Sequence, residues 1–150
     1  MKKIRHYLQL LYNFIFKNHE KIMTIQAIFV SAYYYRCITK TPAKKLEERF
    51  GKRGVESDRE ESLENLKLAV RVGNRVARVT TKAPWETKCL CRAWTAQYLL
   101  KKRHVHSTMY LGVGKDETGK MVAHAWLRCG QVFVTGGNGS EYTTVAKFYV

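Results

Sequence analysis

An α+β fold is predicted for this chain of 150 residues, and two observations predict it. Up to Arg103 the apolar residues recur at helical spacing, and beyond Arg103 the period changes to two. Helices therefore come first and an antiparallel sheet second, which is the order of an α+β domain and not of alternating βαβ units. The length, with 45% apolar residues, allows one compact domain with its own core plus an appendage.

The helical reading starts with "IRHYLQLLYNFIF" and "HEKIMTIQAIFVSAYYYRCI", which place apolar and aromatic residues on more than one face and so call for burial from several sides. Residues 39–58 are polar and charged and are interrupted by Pro42, Gly51 and Gly54, the composition of a linker around one short helix. The expected division is an N-terminal helical region with its linker at 1–56 and the main domain at 57–150. Ser57 with Glu60 reads as a capping box. The helix it opens carries Leu63, Leu66, Val70, Gly73 and Val76 as one stripe and is expected to run to about Val79. Pro84 cannot extend it. Thr87 is suited to cap the next helix, which puts Cys89 in the first turn of "CLCRAWTAQYLLKKR". Lys101, Lys102 and Arg103 then complement the negative end of its dipole.

Four strands are expected at 105–113, 121–127, 131–135 and 143–150, joined by glycine-containing turns in an antiparallel meander. With Cys129-Gly130 as a two-residue turn, Arg128 pairs with Gln131, Trp126 with Phe133 and His124 with Thr135. No internal repeat and no low-complexity run interrupts this order.

The formal charge of +15 is spread along the chain and favours an acidic partner. No groove-reading motif or aromatic-basic ladder is present, so nucleic acid is not the expected partner. "MKKIRHYLQLLYNFIF" has polar breaks and no small-residue cleavage site, so it reads as retained and not as a signal peptide. Residues 22–38 include Thr24, Gln26 and Ser31 and fall short of the ~20 predominantly apolar residues a bilayer span needs, so a membrane span is the second reading there. Lys2, Lys3, Arg5 and Lys17 offer peripheral contact with anionic lipid or an export partner. Four cysteines without export features point to a cytoplasmic, reducing compartment with no disulfides.

Cys89 and Cys91 admit several readings. A zinc site needs further ligands at finger-like spacing, which this pair lacks, and thioredoxin-type chemistry uses Cys-x-x-Cys. Two small buried hydrophobes are the bland reading. Against it, a thiol in a first helical turn meets unpaired N–H groups and the positive end of the dipole, which favour thiolate. The two cysteines lie roughly 200° apart around a helix, so one cleft can use only one of them. A base is available in "VAHAWLRC", where His124 lies on the strand face opposite Ala125 and Leu127. Cys with a strand His is a known arrangement for nucleophilic catalysis, although a strand His is more often structural.

"APWETKCLCRAWTAQYLLKKR", followed by "YLGV" and "AHAWLRCGQVFVTGG", resembles the leader peptidases of lasso peptide biosynthesis, cysteine peptidases with a transglutaminase-like (papain-like) fold. The marks are Pro84-Trp85, Cys89-Leu90, the Leu99-Leu100 run into basic residues, Gly112-Val113 and Ala123-His124-Ala125-Trp126, in order over residues 83 to about 137. The resemblance implies a nucleophile helix packed on an antiparallel sheet, with Cys89 as nucleophile and His124 as general acid/base. It implies that the leader is cut from a ribosomally made precursor before an asparagine-synthetase-like cyclase closes the macrolactam ring. It also implies a leader-recognition protein encoded separately, and no metal or cofactor. Many relatives carry an acid about a dozen residues after the histidine. This chain has Thr135-Gly136-Gly137-Asn138 there, and its only later acid is Glu141. Thr135 is the expected orienter of His124, with Asn138 as the alternative. The Cys89 backbone N–H and the Trp85 indole are the expected oxyanion donors. A transglutaminase-like domain that binds a peptide without cutting it is the alternative function.

Overall fold

The computed structural model describes residues 2–150; the side chains of Lys2, Ile15 and Phe16 lie outside that description, and with them the lipid contact read at Lys2. The helices α1 (Lys2–Lys17), α2 (His19–Lys40), α3 (Ala43–Glu47), α4 (Leu63–Lys82) and α5 (Cys89–Lys101) precede all but one strand. The strands are β1 (Lys52–Arg53), β2 (Thr108–Lys115), β3 (Met121–Cys129), β4 (Val132–Thr135) and β5 (Thr143–Tyr149). The α+β order is the one the change of period predicts. Among the described residues no helix is long and apolar enough to cross a membrane.

α5 organises the packing. Cys91, Ala93, Trp94, Thr95, Ala96, Gln97, Leu99 and Leu100 are all buried, so the helix has no face for solvent and has to be enclosed. α2 and α4 close one side of it and the sheet closes the other. Tyr34 of α2 stacks on Trp94 with centroids 3.8 Å apart, and Phe50 meets Trp94 and Phe148 edge-on at 4.8 and 5.3 Å. These rings tie α2, α5 and β5 into one core. Burial raises the Tyr34 phenol's pKa. Phe50 and Leu46 belong to the stretch read as a linker, and both are buried in that core.

The start of α4 differs from expectation. Ser57 does not cap it: its N–H donates to Thr108 Oγ1 at 2.7 Å and the two hydroxyls lie 2.9 Å apart, so Ser57 is committed to the sheet. Ser62 caps instead, accepting from the Asn65 N–H at 3.2 Å, and the helix runs to Lys82. Its buried stripe is Ala69, Val72, Gly73, Val76, Val79 and Thr80, whereas Leu63 and Val70 are exposed. Packing against α2, α5 and β4 settles which residues turn inward.

The sheet order is β1-β5-β2-β3-β4, antiparallel throughout. β2-β3-β4 is the expected meander, but β5 crosses back to pair with β2, which sets Ala146 and Phe148 in the core. The β3-β4 register also differs. Cys129 pairs with Val132, Arg128 with Phe133 and, past a bulge, Leu127 with Thr135. The turn therefore falls on Gly130-Gln131, where Gly130 supplies the positive φ of 53° that a tight turn demands.

Arg128, 2% exposed, explains why that turn holds. Its guanidinium donates to Gly130 O at 2.6 Å, Ser57 O at 2.9 Å, Tyr110 Oη at 2.9 Å, Asp58 O at 3.3 Å and Glu56 Oε2 at 3.3 Å. One buried cation thus pins residues 56–58 across the sheet face that points away from the helices. Arg128→Ala strands those acceptors and is expected to cost about 3–5 kcal/mol, read as a lower urea midpoint. Hydrogen bonds from Lys147 and Tyr110 hold the Glu56 carboxyl below its ordinary pKa, against the effect of burial. A lowered folded pKa gives stability above the unfolded value of about 4.3 that is lost as pH falls through the folded one. Glu56→Gln is expected to flatten the acid limb of the midpoint–pH curve in that window; an unchanged limb would remove Glu56 from the account.

Candidate active site

The helix half of the site is the start of α5. Cys89 is its first residue, after Lys88 at the N-cap with ψ 170° and no side-chain cap. Thr87, expected as the cap, instead donates its hydroxyl to Thr80 O at 3.0 Å and fastens the 83–88 loop to the end of α4. The first main-chain bond of the helix runs from Arg92 N to Lys88 O at 3.2 Å. The N–H groups ahead of it are left to face whatever sits at that end. Cys89 is half-buried beside the core. In the same loop the Trp85 indole Nε1 is buried with no hydrogen-bond partner.

Cys91 is a different kind of thiol. It is buried, its Sγ donates to Ser31 O of α2 at 3.4 Å, and burial pushes its pKa up to about 11. Burial does the same to Cys129, also to about 11. Cys91 faces α2 as a core side chain, and Cys89 is the thiol left at the helix mouth.

The sheet half lies on β3. Ala125, Leu127 and Cys129 point to the helices, while His124, Trp126 and Arg128 take the other face. The His124 ring stacks on Tyr142 at 4.5 Å and on Trp126 at 6.0 Å, and Trp126 stacks on Tyr110 at 5.4 Å. Nε2 of His124 lies 2.7 Å from Gly136 O. A carbonyl only accepts, so Nε2 donates, and in the neutral ring the lone pair then falls on Nδ1. Gly136 has φ 76°, and a Cβ there would come 2.5 Å from Ala125 O. A Cβ at Gly139 would come 2.3 Å from the Trp126 ring. Glycine is what lets this loop lie close over the strand.

The bond expected of Thr135 is thus made by the neighbouring carbonyl. Thr135 pairs with Leu127, and its hydroxyl is buried without a partner. Asn138 spends its Oδ1 on the Ser140 N–H at 3.0 Å. The Gly136 carbonyl and the Tyr142 ring were not foreseen. The only signal for the first was that residue 136 stands twelve past His124, where relatives were expected to place an acid.

How the halves meet follows from the connection between them. Gln97 reaches Phe148 O at 3.5 Å, and Phe148 pairs with Met109. Eight residues of helix back to Cys89 cover about 12 Å at 1.5 Å each, and three to four strand residues beyond Met109 cover the same distance. The chain direction thus carries Cys89 towards the end of the sheet that holds Gly112, the partner of His124. The thiol approaches from the helix layer and the ring is rooted on the opposite face of the sheet, and no hydrogen bond joins them. A cavity of about 790 Å³ opens at the other end of α5, among Tyr34, Arg49, Trp94, Lys101 and His106, away from Cys89.

The sequence of residues 38–147, which holds both halves of this site, matches a known family. The chain belongs to the transglutaminase-like superfamily. That superfamily includes cysteine peptidases. Neither the curated proteins nor the solved structures contain a significant match to the chain. The superfamily match begins inside α2, upstream of the stretch read as a linker. Among the described residues no three His, Cys, Asp or Glu side chains converge as a metal site would require.

Treating the native protein briefly with iodoacetamide at neutral pH is expected to alkylate Cys89 and to spare Cys91 and Cys129. Tandem mass spectrometry separates Cys89 from Cys91 within their shared peptide. Equal labelling of the pair would contradict the burial described here.

Proposed function

We propose that this transglutaminase-like chain is a cysteine peptidase, a hydrolase that removes the leader from a lasso precursor peptide. The single observation that carries the chemistry is the His124 hydrogen bond, which commits Nε2 to Gly136 O and leaves Nδ1 free to act as a base. The resemblance of residues 83–137 to lasso leader peptidases supports the substrate class. It also supports a cytoplasmic setting, in which a separate leader-recognition protein presents the precursor and an asparagine-synthetase-like cyclase consumes the product in the biosynthesis of such peptide antibiotics.

In this reading Cys89 Sγ, as thiolate, attacks the scissile carbonyl. The Cys89 N–H and the otherwise unpartnered Trp85 indole N–H stabilise the oxyanion. His124 protonates the departing amine, and water then releases the leader from the acyl-enzyme, with His124 taking the proton back. The sulfur and ring stand in different layers and must close up for this to occur, a movement that substrate binding has to drive. A carbonyl orienter holds the imidazole's tautomer but stabilises imidazolium less than a carboxylate does.

The unformed bond and the missing acid favour the second reading, a transglutaminase-like domain that binds the peptide uncut. Incubating the chain with precursor and leader-recognition protein separates the two by product mass. Cleavage is expected with wild type and Cys91→Ala and is expected to vanish with Cys89→Ala or His124→Ala; cleavage surviving in Cys89→Ala would falsify the nucleophile. Trp85→Phe is expected to lose about 10²–10³ in turnover if the indole donates to the oxyanion. Gly136→Ala is expected to lower turnover by displacing the carbonyl, whereas Thr135→Val keeps it. The reverse order would return the orienting role to Thr135.

A further inference from the structure

We propose that α1, with the outward face of α2, is a docking surface for an anionic lipid bilayer, on which the chain lies without crossing it. Ile4, Tyr7, Leu8, Leu11 and Phe14 follow helical spacing and make one apolar stripe along α1. Lys3, Arg5 and Lys17 are exposed, and α1 contains no acidic residue. No described side chain of α1 is buried; Ile4, Tyr7, Leu8 and Leu11 are each more than half exposed. The helix meets α2 only sparsely and leaves its stripe bare. A 16-residue helix with an unburied apolar stripe is marginal in water by itself, and a bare patch of this size marks a binding surface.

α2 carries a second exposed apolar face. Ile25, Ile28 and Phe29 project from α2 on the side away from Met23, Ala27 and Tyr34, with Lys21 and Arg36 exposed on the same side. Apolar side chains bordered by cations, with a tyrosine among them, suit the boundary between headgroups and acyl chains. Charge selects the occupant: a net +15 repels a second copy of the chain and attracts an anionic leaflet. The surface is independent of the cleavage chemistry, so its test uses no peptide substrate.

The test is flotation of the full chain with phosphatidylcholine vesicles, with and without phosphatidylglycerol, at low and high salt. Wild type is expected to float with the mixed vesicles, to release in high salt and to stay behind with phosphatidylcholine alone. Leu8→Ser/Leu11→Ser and Lys3→Glu/Arg5→Glu are each expected to weaken partition about tenfold or more, with circular dichroism confirming that the variants fold. Phe14→Trp is expected to shift its emission to the blue on adding mixed vesicles. No flotation with the mixed vesicles, equal flotation with both kinds, or full partition of Leu8→Ser/Leu11→Ser overturns the proposal. So does self-association or protein binding that depends on Leu8 and Leu11 in the absence of flotation, which would assign the face to a second copy or a protein partner.

Discussion

The constraint on which the rest of this structure depends is that α5 has to be enclosed on every side. A helix whose buried residues occur all round its axis cannot lie on a surface, so α2 and α4 cover one flank and the sheet covers the other. Its start reaches the surface at Cys89, while its other end turns tightly back through residues 102–107 into β2 beside the cavity lined by Trp94 and Lys101. Cys89 owes its position to that enclosure. The same helix that draws Cys91 into the core against α2 holds Cys89 at the opening, so burial separates the two thiols more sharply than their types or spacing do.

The other face of the sheet is held by different physics. There the helices supply no cover, and a chain segment together with a row of rings takes their place. The buried Arg128 guanidinium gathers the carbonyls of Ser57, Asp58 and Gly130 with the Glu56 carboxylate, which draws residues 56–58 down over the strands. Beside it Tyr110, Trp126, His124 and Tyr142 stack in sequence along the face. The imidazole is therefore set by two contacts of different kinds: a ring face that fixes its plane and a backbone carbonyl that fixes its tautomer. A main-chain oxygen in this role asks for a glycine-rich loop close over β3, and Gly136 and Gly139 meet that requirement.

Much of the architecture was legible in the chain. The change from helical to alternating spacing after Arg103 marks the passage from helices to sheet, and Pro84 marks the break between α4 and α5. Particular contacts were not legible. Ser57-x-x-Glu60 is a sound capping pattern, yet its serine is claimed by Thr108, a residue 51 positions away, and Ser62 does the capping. Cys129-Gly130 is a plausible turn, yet the bonds of Arg128 move the turn one residue on and shift every pair in β4. The orienter of His124 is a backbone carbonyl, which has no residue type of its own in a sequence.

What the sequence by itself determined is the set of elements, their order, and which residue types stand at the head of a helix and on an alternating strand, because these follow from spacing and local propensity. What only the tertiary structure decided is which partner each group takes: β5 beside β2, Ser57 on Thr108, Cys91 on α2, His124 on Gly136 O. Those choices are made by competition among distant groups for the same burial and the same hydrogen bonds, and no local pattern records who wins.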